Sequence, residues 1–468
     1  MKLHELGAGE LLAGYAAGTL SPLEVVRSTL DHIAACEPQL HALYALDAPA
    51  ALAQAEASQA RWRRGRPCGA LDGVPVTIKE NIATRGTPVP LGTAAIELAP
   101  ATDDAPPAAR LREAGCVLLA KTTMPDFGML SSGLSSFHPL TRNPWDRVKT
   151  PGGSSAGAAA AAAAGYGPLH IGTDIGGSIR LPAGWCGVVG FKPSLGRIPI
   201  HPPYAGRVAG PITRTVDDAA RMMAVLAQAD DRDTMSLPPQ PIDWHAAAPP
   251  DGCGLRIGLW LDAGWGLDVD AEVRALVEAC ACALADAGAR VQPIAPFCTR
   301  EMADGMDRFW RMRAWLDLQA LPAERRARVL PYIRDWCAPA ADYSGAQVFH
   351  GYSQMGALRD AAVAATRGFD ALLSPVSPVA AFAAEWASPL NDPARPFEHI
   401  AFTLPFNMSE QPAIAVPWGF TRAGLPVGVQ IAGHRHDDEA VLRLARLVEA
   451  LRPPLPAWPQ AGAAPVRS

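Results

Sequence analysis

The sequence predicts an α/β protein built on a large mixed, mostly parallel central β-sheet covered by helices on both faces. Three observations predict it. Short apolar runs of strand character alternate with amphipathic helical patterns along almost the whole chain. Residues 255–260, 269–288 and 290–294 read strand, helix, strand, most simply a right-handed parallel crossover. The 468 residues are 49% hydrophobic and only 19% charged, which supports a sizeable core and argues against disorder.

Residues 1–65 form an N-terminal helical segment that packs on the core. Ser21-Pro22-Leu23-Glu24 is a capping box with proline in the first turn, and Leu23, Val26, Leu30 and Ile33 follow at helical spacing. Residues 66–452 form the main α/β domain. Val74, Val76 and Ile78 alternate with Pro75, Thr77 and Lys79, a strand that ends on the lysine. A helix over 105–114 precedes an apolar strand over 116–120. The loop 127–143 is rich in serine, glycine and aromatics, and loops of that length in compact domains often carry function. Cys186, Val188, Val189 and Phe191 read as buried. Gly210-Pro211-Ile212-Thr213 reads as a turn before an N-capped helix that runs to 226. Residues 228–252, with many Asp and Pro, read as a surface linker. A variable helical insertion follows the crossover at 300–368. Strands over 370–373, 413–417 and 427–431 and a helix over 437–451 complete the domain, and 453–468 is a Pro-rich tail.

A net charge of −5 argues against a nucleic-acid partner. Arg61, Arg63, Arg64 and Arg66 read as a dipole-matched helix end. The nine cysteines are scattered and form no C-x-x-C, which fits buried free thiols in a reducing compartment, the cytoplasm. No apolar run of about 18 residues predicts a membrane span, and no signal peptide is expected. The expected partner is a small molecule, with the chain a monomer or homodimer and neither metal nor cofactor implied.

The chemistry concentrates between Thr150 and Arg180. Gly152-Gly153-Ser154-Ser155 and Gly176-Gly177-Ser178 flank seven alanines, Ala158 to Ala164. Small residues at this density allow close backbone packing or backbone approach to a ligand. Each cluster sets a hydroxyl beside backbone N–H groups, as acyl transfer requires. A serine nucleophile needs a base. His138, His170 and His201 are nearest in sequence and stand in no recognisable triad context. A lysine held neutral by burial and neighbouring cations serves instead, and Lys79 is the candidate.

These residues lie in a set of motifs that resembles the amidase signature family. The matching pieces are Gly73-Val74-Pro75-Val76-Thr77-Ile78-Lys79-Glu80-Asn81, Pro151-Gly152-Gly153-Ser154-Ser155-Ala156-Gly157, Gly172-Thr173-Asp174-Ile175-Gly176-Gly177-Ser178-Ile179-Arg180-Leu181-Pro182 and Gly190-Phe191-Lys192-Pro193. Gly210-Pro211-Ile212-Thr213-Arg214 and Gly424-Leu425-Pro426-Val427-Gly428-Val429-Gln430 extend the likeness. It covers about residues 21–451.

The resemblance implies the amidase signature fold and a Ser-cisSer-Lys triad. Ser178 would be the nucleophile, Ser154 the proton relay after a cis peptide from Gly153, and Lys79 the base. The N–H groups of Ile175, Gly176, Gly177 and Ser178 would form the oxyanion hole. Ser155, Thr173, Asp174 and Arg180 would support the loop. Two departures stand out: Glu80 where the family more often has Asp, and Glu410 at a position usually small, which puts the local pocket wall in doubt. The implied activity is hydrolysis of a carboxylic amide, with aryl amides, esters and carbamates (a urethanase activity) open as substrates. The alternatives are the A-type glutaminase subunit of a tRNA-dependent amidotransferase and a binding protein that kept the fold. Pocket candidates are Phe127, Met129, Leu130, Ser131, Ser132 and Tyr204, with Phe309, Trp310, Trp315 and Tyr332 as helix aromatics. No arginine or lysine outside the motifs stands out as waiting for a carboxylate substrate.

Overall fold

The computed structural model describes residues 2–249 and 251–459. Of the tail expected at 453–468, residues 460–468 lie outside the described residues.

Among the described residues eleven strands form one sheet. They are β1 (Leu43–Tyr44), β2 (Pro75–Lys79), β3 (Val117–Thr122), β4 (Leu169–Asp174), β5 (Val189–Lys192), β6 (Val208–Thr213), β7 (Arg256–Leu259), β8 (Arg290–Pro293), β9 (Ala371–Pro375), β10 (Ala413–Phe420) and β11 (Pro426–Ala432). The spatial order is β1-β3-β2-β4-β6-β5-β10-β11-β9-β7-β8.

The sheet is mixed, but its middle corrects the expectation of a mostly parallel one. β2 runs parallel to β3 and β4, and β7 parallel to β9 and to β8, the last pair being the predicted crossover. The other six pairings are antiparallel. The cause is connection length. β10 and β11 are joined by only 421–425, too short for a parallel crossover, which needs a dozen or more residues. β6 itself corrects the turn expected at 210–213, because its glycine and proline disguise a buried central strand. β1 likewise interrupts the N-terminal helices by pairing Leu43 and Tyr44 with Thr122 and Lys121.

Helices cover both faces. Ala8–Ala17, Val216–Leu226, Ala271–Asp286 and Asp438–Leu451 close one apolar cluster with Val76, Ile78, Val429 and Ile431. Arg180–Cys186, Arg300–Gln319 and Gly345–Thr366 close the other with Ala413, Ala415 and Ala432. The expected caps are made: Ser21 Oγ accepts from Glu24 N at 3.2 Å, and Thr215 Oγ1 accepts from Asp218 N at 3.1 Å. The helix Ala156–Ala164 is buried along its whole length, and small side chains make that possible. A Cβ on Gly157 would meet Ala42 O at 2.1 Å, so the chain passes there only without one.

This packing positions the site. β2 and β4 are parallel neighbours, so their carboxyl ends, Lys79 and Asp174, emerge at the same edge of the sheet. The alanine helix feeds β4 from behind and presents Ser154 and Ser155 just before its first turn.

Candidate active site

Lys79 is fully buried at the end of β2. Its Nζ lies 2.8 Å from Ser154 Oγ, 3.0 Å from Ser155 Oγ and 3.5 Å from the Thr173 carbonyl. The Ser155 hydroxyl donates to Thr173 O at 3.2 Å, so towards Lys79 its oxygen acts as acceptor. The lone pair of a neutral amine is then left to face the Ser154 hydroxyl. Burial holds the Lys79 pKa well below the ordinary lysine value, and the nearby Arg207 guanidinium pushes the same way. Asp174 and Glu80 oppose them with a smaller effect. The peptide bond Gly153–Ser154 is cis.

The loop after β4 is organised by Asp174. Its carboxylate accepts from Gly177 N at 2.8 Å, from Ile179 N at 3.0 Å and from Arg180 Nε and Nη2 at 3.1 and 3.0 Å. Burial alone would raise its pKa. The Arg180 charge and these hydrogen bonds outweigh that and hold it well below the carboxylate range. The remaining guanidinium hydrogens of Arg180 go to Thr403 O, Gln430 Oε1 and Asn407 Oδ1.

One oxyanion assignment is corrected. The Gly177 N–H is committed to Asp174, and the carbonyl of the same peptide unit, that of Gly176, accepts from Thr403 Oγ1 at 2.6 Å. That unit is clamped at both ends and its N–H is closed to an incoming oxyanion. The N–H groups of Ile175, Gly176 and Ser178 have no acceptor among the described residues. Gly177 has φ 129°, and a Cβ there would lie 2.5 Å from Thr403 Oγ1, so the clamp requires glycine.

Ser178 and Ile175 are the partly exposed residues of this otherwise buried loop. Two spaces meet at Ser178. On one flank Leu130, Leu181, Trp310, Phe397 and Ile400 form an apolar pocket. On the other, a cavity of about 470 Å³ is walled by Asn81, Ser154, Thr173, Arg207, Arg313 and Asp317. Ser154 and Ser178 both line this cavity, and the Ser178 hydroxyl makes no hydrogen bond to the described residues.

Of the pocket candidates, Phe127 lines the cavity, Leu130 and Ser131 the apolar pocket, and Met129 both. Ser132 is buried instead behind Gly153, where an added Cβ would meet its backbone N at 2.6 Å. Tyr204 lies off the walls, its ring under the Arg313 guanidinium at 4.3 Å. Trp310 enters the pocket wall. Phe309 packs on Tyr352, and the Tyr332 hydroxyl bonds Asp392 O, because their helix faces turn away from Ser178. Trp315 packs beside the core on that face of the sheet. Glu410 is no pocket wall either; it pairs with Arg359 and Arg435. His138 is held by Glu80 at 2.6 Å, and His170 by Thr77 and Gly167 O. Among the described residues no cluster of His, Cys, Asp and Glu is arranged to hold a metal.

Sequence reasoning missed Thr403, Asn407 and Gln430, which complete the Asp174–Arg180 clamp. Gln430 was within reach, since it ends the Gly424–Gln430 motif. It also missed Arg207 and Arg313, which belong to no motif and reach the cavity from the loop before β6 and from the helix Arg300–Gln319.

A family model described as Amidase matches residues 24–442. The chain is 35% identical to the A-type subunit of the glutamyl-tRNA(Gln) amidotransferase of Anaeromyxobacter sp. (strain K), across 98% of this chain and 99% of that protein. Further relatives with that name are 34 to 35% identical. It is 34% identical to an acylamidase of Rhodococcus erythropolis, across 96% of both. Among solved structures, a bacterial aryl acylamidase of the amidase signature enzymes superposes with TM-score 0.86 at 30% identity, covering 95% of this chain and 96% of that one. With a family model matched over residues 24–442 and nearly the whole length superposed, the chain belongs to the amidase signature family of hydrolases, whose chemistry is amide hydrolysis through an acyl-enzyme.

Proposed function

We propose that the chain cleaves a carboxylic amide through a seryl acyl-enzyme, with Ser178 as nucleophile, Ser154 as relay and Lys79 as base. The observation that carries this reading is Lys79, buried without an ion-pair partner among the described residues and 2.8 Å from Ser154 Oγ. Ser178 Oγ attacks the carbonyl carbon while its proton passes through Ser154 to Lys79. The negative oxygen is taken up by the free N–H groups of Ile175, Gly176 and Ser178. One such donor is worth on the order of 10²–10³ in rate. Collapse breaks the C–N bond, and Lys79 returns its proton through Ser154 to the departing amine. Water then repeats the sequence on the acyl-enzyme. The Ser154-to-Ser178 hydrogen bond forms as substrate seats Ser178, since catalytic hydrogen bonds often tighten only in the complex.

The Trp310, Phe397 and Ile400 pocket suits an apolar or aryl group on the substrate. Esters and carbamates share the acylation step. A panel of hydrophobic anilides, simple amides, esters and carbamates tests the assignment: turnover of anilides that disappears in Ser178→Ala supports it, and near-normal turnover by that variant overturns it.

A second reading is favoured by the relatives named as amidotransferase subunits, whose alignment covers both chains almost end to end. In that reading the substrate is glutamine and the ammonia passes to a partner chain. Release of ammonia from L-glutamine that outpaces every anilide would select it. All nine cysteines are free, and we place the enzyme in the cytoplasm on that ground.

A further inference from the structure

The cavity side of Ser178 carries two guanidinium groups that the acyl-transfer steps do not use. Among the described residues the Arg207 side chain has no hydrogen-bond or ion-pair partner, and it lines the same cavity as Ser154 and Ser178. It sits between β5 and β6, one residue before Val208, whose partner across the ladder is Asp174. Arg313 reaches the same cavity from the helix Arg300–Gln319 and also borders the apolar pocket, so it stands where the two spaces meet. Its nearest carboxylate, Asp317, is 4.0 Å away on the same helix and is itself part of the cavity wall. Asp174, the other wall carboxylate, is spent on Arg180.

We infer that Arg207, with Arg313 beside it, forms an anion subsite, and that the natural substrates are amides carrying a carboxylate on one side of the scissile bond and an apolar group on the other. This rests on the amidohydrolase reading and names its substrate class. Charge selects a monoanion. Two arginines offset by the one carboxylate that faces them, Asp317 beside Arg313, leave a single net positive charge in the wall, which a carboxylate balances and a phosphate dianion would overshoot. The planar fork of a guanidinium matches a carboxylate with two hydrogen bonds. A cation left unpaired in a half-buried wall is costly, and burial followed by the neighbouring Arg313 pushes the Arg207 pKa down to about 10. An arriving carboxylate removes that cost. The division of labour also explains the shape of the site: the pocket of Trp310 and Phe397 takes the apolar end, and the roomier polar cavity takes the charged end.

Arg207 has a second effect, since its charge helps keep Lys79 neutral. The test must separate the two. Substrates are compared as matched pairs, an acyl 4-carboxyanilide against the acyl 4-methylanilide, and the mono-anilide of a dicarboxylic acid against that of the corresponding fatty acid. The pairs place the carboxylate on the amine side and the acyl side in turn, at a pH on the plateau of activity. The wild-type enzyme is expected to favour the anionic member of one pair in kcat/KM, mainly through KM. Arg207→Met is expected to lower that preference by on the order of 10- to 100-fold, and Arg207→Lys to restore part of it. An arginine that acts only on Lys79 would shift the pH profile for both members and leave the preference unchanged, which overturns the proposal. Equal kcat/KM for both members in the wild type overturns it too. Turnover of neutral anilides alone would overturn the subsite and leave the amidohydrolase reading standing, whereas near-normal turnover of every substrate by Ser178→Ala would sink that reading instead. Calorimetry of 4-acylaminobenzoate binding to Ser178→Ala, with and without Arg207→Met, reads the subsite without turnover. Equal affinity in the two proteins refutes it.

Discussion

Asp174→Asn isolates the clamp that shapes the nucleophile loop. The substitution keeps size and removes charge. In the native protein the carboxylate and the Arg180 guanidinium are both buried, 3.0 Å apart. Asparagine leaves that cation buried with only the neutral acceptors Thr403 O, Gln430 Oε1 and Asn407 Oδ1. It also turns an amide donor towards one of the N–H groups of Gly177 and Ile179 that the carboxylate satisfies. Breaking a buried pair on one side costs about 3–5 kcal/mol. A chain of 468 residues unfolds with an entropy of about 1 kcal/mol/K. The expected fall in Tm is therefore about 3–5 °C, read by scanning calorimetry. The pH dependence follows from the sign of the shift. Asp174 is held below its unfolded value, so its contribution is fully present above the ordinary carboxylate range and is lost as pH falls through its native pKa. The deficit of the variant should thus be constant from about pH 6 upward. Catalysis should suffer with it, because the freed Gly177 peptide can rotate and unseat the neighbouring N–H groups. A loss of at least about 100-fold in kcat is expected, the worth of one oxyanion donor. A variant that melts within 1 °C of wild type, or turns over at a normal rate, would refute the clamp.

The remaining predictions concern the base, the loop glycine and the pocket. Lys79 must be neutral to accept a proton, and its pKa is lowered, so kcat/KM should fall as pH drops through that lowered value and be flat above it. A profile still rising at pH 10 would mean an ordinary lysine and refute the base. Lys79→Met should lower kcat by on the order of 10²–10⁴ with the fold intact by circular dichroism; normal kcat in a folded variant contradicts the role. Gly177→Ala forces a Cβ to 2.5 Å from Thr403 Oγ1 at φ 129° and should cost activity far more than stability; wild-type kcat would show that the clamp tolerates a side chain. Trp310→Ala opens the apolar pocket and should raise KM for aryl substrates about tenfold while sparing small amides; an equal loss on both would move Trp310 out of the pocket and into general packing.

What the sequence revealed, and what it hid, follows from how local each feature is. Lys79, Ser154 and Ser178 were legible because each stands in a short string whose glycines and prolines serve one backbone path. The helix Ala156–Ala164 was legible as a spacer from its composition, and the crossover of β7 and β8 from periodicity. The sheet's middle was not. β6 contains Gly210 and Pro211, which signal a turn in isolation, and only its neighbours β4 and β5 hold those residues extended. The Gly177 N–H was misassigned because its partner, the Asp174 carboxylate, reaches forward three residues, a choice the sequence leaves open. Arg207 and Arg313 lie 106 positions apart (313 − 207) and meet only across the cavity. Nothing local to either position marks it as facing a ligand.

The way charge is shared around Lys79 explains how a lysine among carboxylates comes to have a lowered pKa. Asp174 and Glu80 are the two carboxylates that act on it, and both would favour its ammonium form. Each is already engaged. Asp174 is locked to Arg180 by two contacts near 3 Å, and Glu80 accepts from His138 Nε2 at 2.6 Å. The Glu80 carboxylate therefore serves the loop of His138, while the lysine meets only two hydroxyl oxygens and a carbonyl. Burial then prevails, and Arg207 adds repulsion from across the cavity. If this sharing of charge sets the base, freeing one carboxylate should undo it. His138→Leu leaves the Glu80 carboxylate buried without its imidazole partner and free to turn towards Lys79. Lys79 then gains an anion, its pKa rises and the acid limb of kcat/KM moves to higher pH. A limb that stays in place or moves to lower pH would refute this sharing of charge.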